Sequence, residues 1–251
     1  MATLVGSTGF VGSHLARSHD FTIQVHRPDV QTLVDLKTDL LVCSGLPAEK
    51  WRANQEPAAD WANMAELAQV LATVRADSAV LISTIDVYQP AVGVDEDDPA
   101  HLNGPGAYGA HRAWFEAFFR SRFPDALIIR LPGLFAPDVR KNLVHDLMHG
   151  RADQLERVNP DSAFQFFDVT QTWSVIERAL ASGTALLNVT SEPVTAQAVA
   201  ALFGVRLSAD TDAAQYDMRS VHANTFGGKD GYLYTAATVL EGIGALQSAS
   251  R

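Results

Sequence analysis

The order of apolar and helical stretches predicts an α/β chain built on a doubly wound parallel sheet. Three observations lead there. Short β-rich runs alternate with stretches of helical periodicity, a glycine turn joins the first run to the first helix, and runs such as Ala79–Thr84 are apolar over most of their length. Alternating strands and helices imply βαβ units, whose strands are covered on both faces and read as near-continuous apolar runs.

The elements follow in order. Ala2–Val5 is the first strand, followed by the glycine turn and a helix through about Arg17. Phe21–His26 and Asp39–Ser44 read as the second and third strands. Trp61–Val74 places Met64, Leu67, Ala68 and Leu71 at helical spacing. Ala79–Thr84 and Ala126–Leu131 are buried strands, and between them Tyr108–Arg122 is helical, with Trp114, Phe115, Phe118 and Phe119 on an apolar face. After Leu131 the pattern loosens: Pro132, Gly133 and Pro137 lead into a loop and short helix over Asn142–His149. Phe164–Val169 and Ala185–Val189 read as later strands, with a helix over Thr172–Ala181 between them. The segment Gln215–Gly231 is rich in Asp, Asn and Gly, carries Phe226-Gly227-Gly228, and is expected to belong to a small lobe. The expected division is a core over 1–132 and 164–190, with a smaller interleaved lobe over 133–163 and 191–251.

Composition narrows the class. The chain has 251 residues, 47% of them hydrophobic, enough to bury a sizeable core without staples. Its net charge of −10 argues against nucleic acid as the main partner, because phosphate backbones need a basic face. One cysteine, Cys43, excludes an internal disulfide and a multi-cysteine metal site. The apolar runs are shorter than the roughly 20 residues of a membrane span, and the first residues run straight into a strand without the basic region of a secretory signal. The expectation is a soluble, cytoplasmic protein. The histidines lack metal-ligand spacing: His145 and His149 are four apart but have no third ligand, so no metal is assigned.

The turn Gly6-Ser7-Thr8-Gly9-Phe10-Val11-Gly12 carries glycines three apart between a strand and a helix. The first glycine suits a tight turn, the second a close approach to pyrophosphate, and the third the packing of helix on strand. Pyrophosphate would meet the free N–H groups of a helix N-terminus. The sheet is thus expected to be of the Rossmann type. The bland reading is a plain glycine-rich turn.

The GxxGxxG spacing resembles the short-chain dehydrogenase/reductase superfamily, and Gly6–Leu15 (GSTGFVGSHL) resembles its extended branch, the NAD-dependent epimerase/dehydratase family of sugar-nucleotide enzymes. The resemblance runs through about Val189 and fades in the tail. It implies a cofactor site over Gly6, Thr8, Gly9, Phe10, Val11 and Gly12, then His26, Arg27, Cys43, Ser44 and Gly45, and also Tyr108, Arg112, Leu131 and Pro132. The second strand ends Val25-His26-Arg27 without a carboxylate. Arg27 can present a planar fork to a 2′-phosphate, which favours NADP over NAD; the alternative is an exposed Arg before a proline turn. Cys43 reads as a small core residue rather than a nucleophile.

Ser83-Thr84-Ile85-Asp86-Val87-Tyr88 resembles the family's strand end, and Tyr108-Gly109-Ala110-His111-Arg112 resembles its Tyr-x-x-x-Lys. By that match Thr84, with Ser83 as second candidate, bonds the reacting oxygen, and Tyr108 moves its proton. Residues i and i+4 share a helix face, so Arg112 would hold the nicotinamide ribose and lower the Tyr108 pKa, as a nearby cation does for a phenol. Arg in place of Lys is a departure: either a subfamily is built around Arg, or the redox chemistry has weakened. Glu116 falls where the family helix carries Glu. Asp86 reads either as a second proton carrier or as a cap of the following loop.

Further implied substrate contacts are Asn63, Gly133, Arg140, Lys141 and Asn142, besides Asp86. Asn63 reads equally as a helix-start residue. Gly133 stands where the family has a sugar-contacting Asn, a second departure. Arg140 and Lys141 supply two cations suited to a diphosphate, or form a solvated helix start. The aromatic helix faces resemble those through which family members form two-fold dimers. Two functions stay open: an NAD(P)-dependent oxidoreductase or epimerase of nucleotide-linked sugars or similar polyols, with a small C-terminal substrate-binding lobe, and a cofactor-binding sensor or interaction subunit without turnover.

Overall fold

The computed structural model describes residues 1–104 and 106–249. The chain divides into two compact units.

The first unit covers Met1–Gln89, Pro99–Arg130 and Thr170–Leu187. Its elements are β1 (Ala2–Val5), α1 (Phe10–Ser18), β2 (Ile23–Val25), β3 (Lys37–Cys43), α2 (Lys50–Gln55), α3 (Pro57–Leu71), β4 (Arg75–Thr84), α4 (Ala107–Arg122), β5 (Leu127–Leu131), α5 (Thr172–Ala181) and β6 (Leu186–Asn188). The strands form one parallel sheet in the order β6-β5-β4-β3-β1-β2. The chain runs from β1 outward to β2, then returns to the other side of β1 as β3. The order reverses between β1 and β3, where ligands of open α/β sheets bind. Val5, Cys43 and Leu81 lie in register, which brings the ends of β1, β3 and β4 together. The expected Rossmann-type sheet is present.

The core explains the helix faces. Met64, Leu67 and Leu71 of α3 and Phe115 and Phe119 of α4 pack with Val5, Leu41 and Leu81 of the sheet, all fully buried. On α1, Leu15 is fully buried, and His19 just beyond the helix stacks on Trp173 of α5 at 3.8 Å.

The second unit covers Pro90–Asp98, Leu131–Val169 and Asn188–Arg251. Its strands pair in twos. Ala163–Phe164 lies antiparallel to Val194–Thr195, Gly133–Phe135 parallel to Phe166–Asp168, and Val92–Val94 parallel to Asp217–Met218. The run expected as one strand over Phe164–Val169 is therefore two, with Gln165 at the change of partner. Its buried amide donates to the carbonyls of Ser191 and Met218 at 2.6 and 2.7 Å and accepts from the Met218 N–H at 2.8 Å. No described helix is long and apolar enough to cross a membrane.

Candidate active site

β1 delivers the chain into the glycine turn. Gly6 takes φ +86°, and a Cβ there would stand 2.7 Å from the Gly45 backbone. Only glycine adopts that conformation at such close approach. The turns after β1 and β3 thus meet backbone to backbone, and Ser44 Oγ donates to the Val5 carbonyl at 3.0 Å. A Cβ at Gly12 would overlap the Gly6 carbonyl, so α1 rises directly from the turn. Gly9 precedes α1 with no side-chain cap, and the first helical turn carries no carboxylate. An uncapped helix N-terminus reached over bare, exposed glycine fits a pyrophosphate. The residues that would hold it are Gly6, Thr8, Gly9, Phe10, Val11 and Gly12.

Past β2, His26 is exposed, with Nδ1 3.4 Å from Ser7 Oγ. Arg27 donates to the Asn63 carbonyl, and its Nη1 stands 3.2 Å from Glu66 Oε2 on α3. The Asn63 side chain turns back to the Ala59 carbonyl at 3.0 Å on the exposed side of α3. Its backbone carbonyl, rather than its amide, meets Arg27. Cys43 is fully buried, and burial pushes its thiol up to about 11 against smaller lowering by the Gly45 N–H and the Arg27 charge. The thiolate needed for nucleophilic attack is absent at neutral pH.

β4 ends in two hydroxyls with different partners. Ser83 donates to Glu116 Oε1 at 2.6 Å. Arg130 clamps the same carboxylate through Nε at 3.0 Å and Nη2 at 2.6 Å, and reaches the Tyr88 hydroxyl at 2.5 Å. All four residues are buried. Ser83 thereby belongs to a buried polar network. The Thr84 hydroxyl accepts the Asp86 N–H at 3.2 Å, and Thr84 is among the groups that lower the Tyr108 phenol.

The start of α4 is pinned from two sides. A Cβ at Gly109 would overlap the Asp86 carbonyl, so the helix lies against the turn that follows β4. The Tyr108 N–H, otherwise an orphan of the first helical turn, donates to Asn54 Oδ1 on α2 at 3.0 Å. Burial pushes the Tyr108 phenol above its ordinary value. The Arg112 charge, the Thr84 hydroxyl and the Lys50 charge pull it down, Asp86 adds to the rise, and the net direction is upward. The phenol is protonated near neutral pH.

Arg112 departs most from expectation. It is 1% exposed. Its Nη1 and Nη2 close on the Asp60 carboxylate, with Nη2 2.9 Å from Oδ1, and Nη2 also donates to the Pro47 carbonyl. Nε is buried without a partner among the described residues. The guanidinium carbon sits over the Tyr108 ring, 4.1 Å from its centroid. Asp60 is also 2.7 Å from His111 Nδ1. Burial pushes its carboxyl up, but the hydrogen bonds and charges of Arg112 and His111 outweigh that and hold it below the ordinary 3.8. The fork expected to hold a ribose is closed around Asp60 instead.

Sequence reasoning missed Lys50 and Asn54. Lys50 Nζ is 2.5 Å from Asp86 Oδ1. Both residues sit one helical turn apart on α2, whose only buried residue is Ala53, so no apolar stripe marked it as a helix.

The second unit places the remaining candidates. The Gly133 N–H donates to the Gln165 carbonyl at 3.1 Å, and a Cβ would come within 3.0 Å of the Phe166 ring, so no side chain fits there. Asn142 caps the short helix Leu143–Met148. Its Oδ1 accepts the N–H groups of Val144 and His145 at 3.0 and 3.2 Å, and its Nδ2 donates to the Leu134 carbonyl at 2.7 Å. Arg140 and Lys141 are exposed, and Leu131 and Pro132 are buried. Among the described residues no group of three His, Cys, Asp or Glu side chains could hold a metal ion.

By sequence, the chain matches no family profile and no curated protein. By fold it is similar to many solved structures. A dTDP-4-dehydrorhamnose reductase from Yersinia enterocolitica superposes with a TM-score of 0.74 at 14% identity, covering 98% of this chain and 99% of that one. RMD from Pseudomonas aeruginosa, solved with NADPH, gives 0.71 at 18% identity over 100% and 99%. WbmG from Bordetella bronchiseptica, solved with NAD and UDP, gives 0.75 at 14% identity over 99% and 94%. These likenesses show the fold.

Proposed function

We propose that the chain is an NAD(P)-dependent oxidoreductase that reduces a carbonyl of a nucleotide-linked sugar or similar polyol, with NADPH preferred. The observation that carries this reading is the protonated, buried Tyr108 phenol, on a helix start pinned against the turn that follows Thr84 at the end of β4. The fold it shares with a nucleotide-sugar reductase and with proteins solved with NADPH, or with NAD and UDP, supports it.

When bound, the nicotinamide supplies a hydride. Thr84 orients the substrate carbonyl, and Tyr108 gives its proton to the oxygen that becomes the alcohol. The phenolate then regains a proton from water. Arg27, lying past the end of β2, would take a 2′-phosphate by exchanging Glu66 for it.

A second reading, a dinucleotide-binding subunit without turnover, is favoured by the withdrawal of Arg112 into its pair with Asp60. The test runs a panel of nucleotide sugars with NADPH and with NADH. The oxidoreductase reading expects oxidation of NADPH, faster than of NADH, and a loss of about 100-fold or more in Tyr108→Phe with cofactor affinity kept. Dinucleotide binding without turnover on any sugar favours the subunit; no binding at all removes both.

A further inference from the structure

Asp60 stands in the first turn of α3, a position whose helix dipole alone would suit an exposed carboxylate. Here the carboxylate is buried and closed on α4. Both its oxygens accept from Arg112, and Oδ2 also stands 2.7 Å from His111 Nδ1. Stability does not account for such a pair, because apolar side chains of similar volume often serve a core as well or better. The pair has a neighbour in the candidate site. The Arg112 guanidinium carbon sits 4.1 Å from the centre of the buried Tyr108 ring. Burial raises the Tyr108 phenol, and the Arg112 charge is the largest pull in the opposite direction. A cation so placed, left uncancelled, would draw the phenol toward its anion. Asp60 supplies one negative charge within hydrogen-bond reach of that cation, so the ring meets an ion pair rather than a bare charge.

We propose that Asp60 is a positioning residue of this site: it holds the Arg112 guanidinium as a fixed platform on the Tyr108 ring and cancels its charge, so that Tyr108 stays a phenol able to give a proton. This deepens the reductase reading and rests on it. Asp60 acts through Arg112. The proton leaving Tyr108 goes to the substrate oxygen and is restored from water, so Asp60 and Arg112 keep their protonation throughout. The same device bears on direction. A phenol serves carbonyl reduction, whereas alcohol oxidation needs the phenolate and is delayed to alkaline pH. The charged groups bearing on Tyr108 are Arg112 on α4, Asp86 in the turn after β4 and Lys50 on α2. Those bearing on Asp60 are Arg112 and His111, both on α4.

The test compares Asp60→Asn with the double variant Asp60→Asn/Arg112→Met in the full chain. Ionisation of Tyr108 is followed by carbon NMR of ring-labelled tyrosine, assigned by Tyr108→Phe. In Asp60→Asn the Arg112 charge stands uncancelled. The titration should move downward by about one pH unit, and the alkaline limb of the kcat–pH profile for carbonyl reduction should move with it. A variant that had only lost stability would keep both in place. The double variant removes both charges and leaves no buried ion. It should titrate close to the unaltered protein, with kcat about tenfold lower for want of the platform and the sugar KM and NADPH affinity little changed. An unmoved or upward titration in Asp60→Asn overturns the proposal, as does an unchanged kcat in the double variant. So does an upward shift of about one unit in the double variant, the result expected if Arg112 had acted uncancelled; that arm decides alone should the single variant not fold. Absence of turnover in the unaltered protein would overturn the reductase reading alone, because the NMR titration still decides whether Asp60 governs Tyr108.

Discussion

Arg112 and Asp60 are 1% and 4% exposed at their side chains, and their charges answer each other in a space with almost no water. Such a pair adds little net stability while intact, but removing one partner leaves the other uncompensated. Asp60→Asn should therefore destabilise the fold by about 3–5 kcal/mol at neutral pH, measured by urea unfolding. The pH dependence has a definite sign. Asp60 is held below 3.8 in the folded chain, so its contribution is complete above the unfolded value and disappears as pH falls through the lower folded one. The gap between the unaltered protein and the variant should be constant down to about pH 4 and close only below it. A gap that narrows between pH 7 and 5 would contradict this assignment. At the same scale, the sequence named Tyr108 and Thr84 but not the partner of Arg112. Asp60 lies 52 positions away, and no local pattern ties two residues so distant.

At the scale of elements, the joint between α4 and the turn after β4 rests on one missing methyl group. Gly109→Ala would drive a Cβ into the Asp86 carbonyl, and backbone cannot retreat as a side-chain tip can. The expected cost is about 1–3 kcal/mol, with a larger loss of activity than of dinucleotide binding, because Tyr108 moves while the glycine turn stays. Equal thermal stability in the variant would show that the joint is looser than drawn. The helix faces and strands that contact the core were legible because burial imposes periodicity: Met64, Leu67 and Leu71, or Phe115 and Phe119. α2 left no such trace, with Ala53 as its one buried residue, and it carries both Lys50 and Asn54. Phe164–Val169 read as one strand because hydropathy does not register a change of partner; that change depends on the buried Gln165 amide.

At the scale of the whole molecule, the aromatic residues of α3 and α4 raise the question of assembly. Trp61 is 39% exposed and its ring lies 4.5 Å from Trp114, which stacks on Phe118 at 6.0 Å. The two-fold dimer expected from these helices stands as a proposal, supported by that cluster. Light scattering at micromolar concentration should report a dimer, and the pair Trp61→Glu and Trp114→Glu should report a monomer with its secondary structure intact. A monomer before substitution removes the proposal. The path of the chain has its own consequence. It passes between its two units at Gln89, Asp98, Arg130, Val169 and Leu187. Neither unit is a contiguous stretch of the gene product, so no truncation, however trimmed, can excise one and leave the other whole.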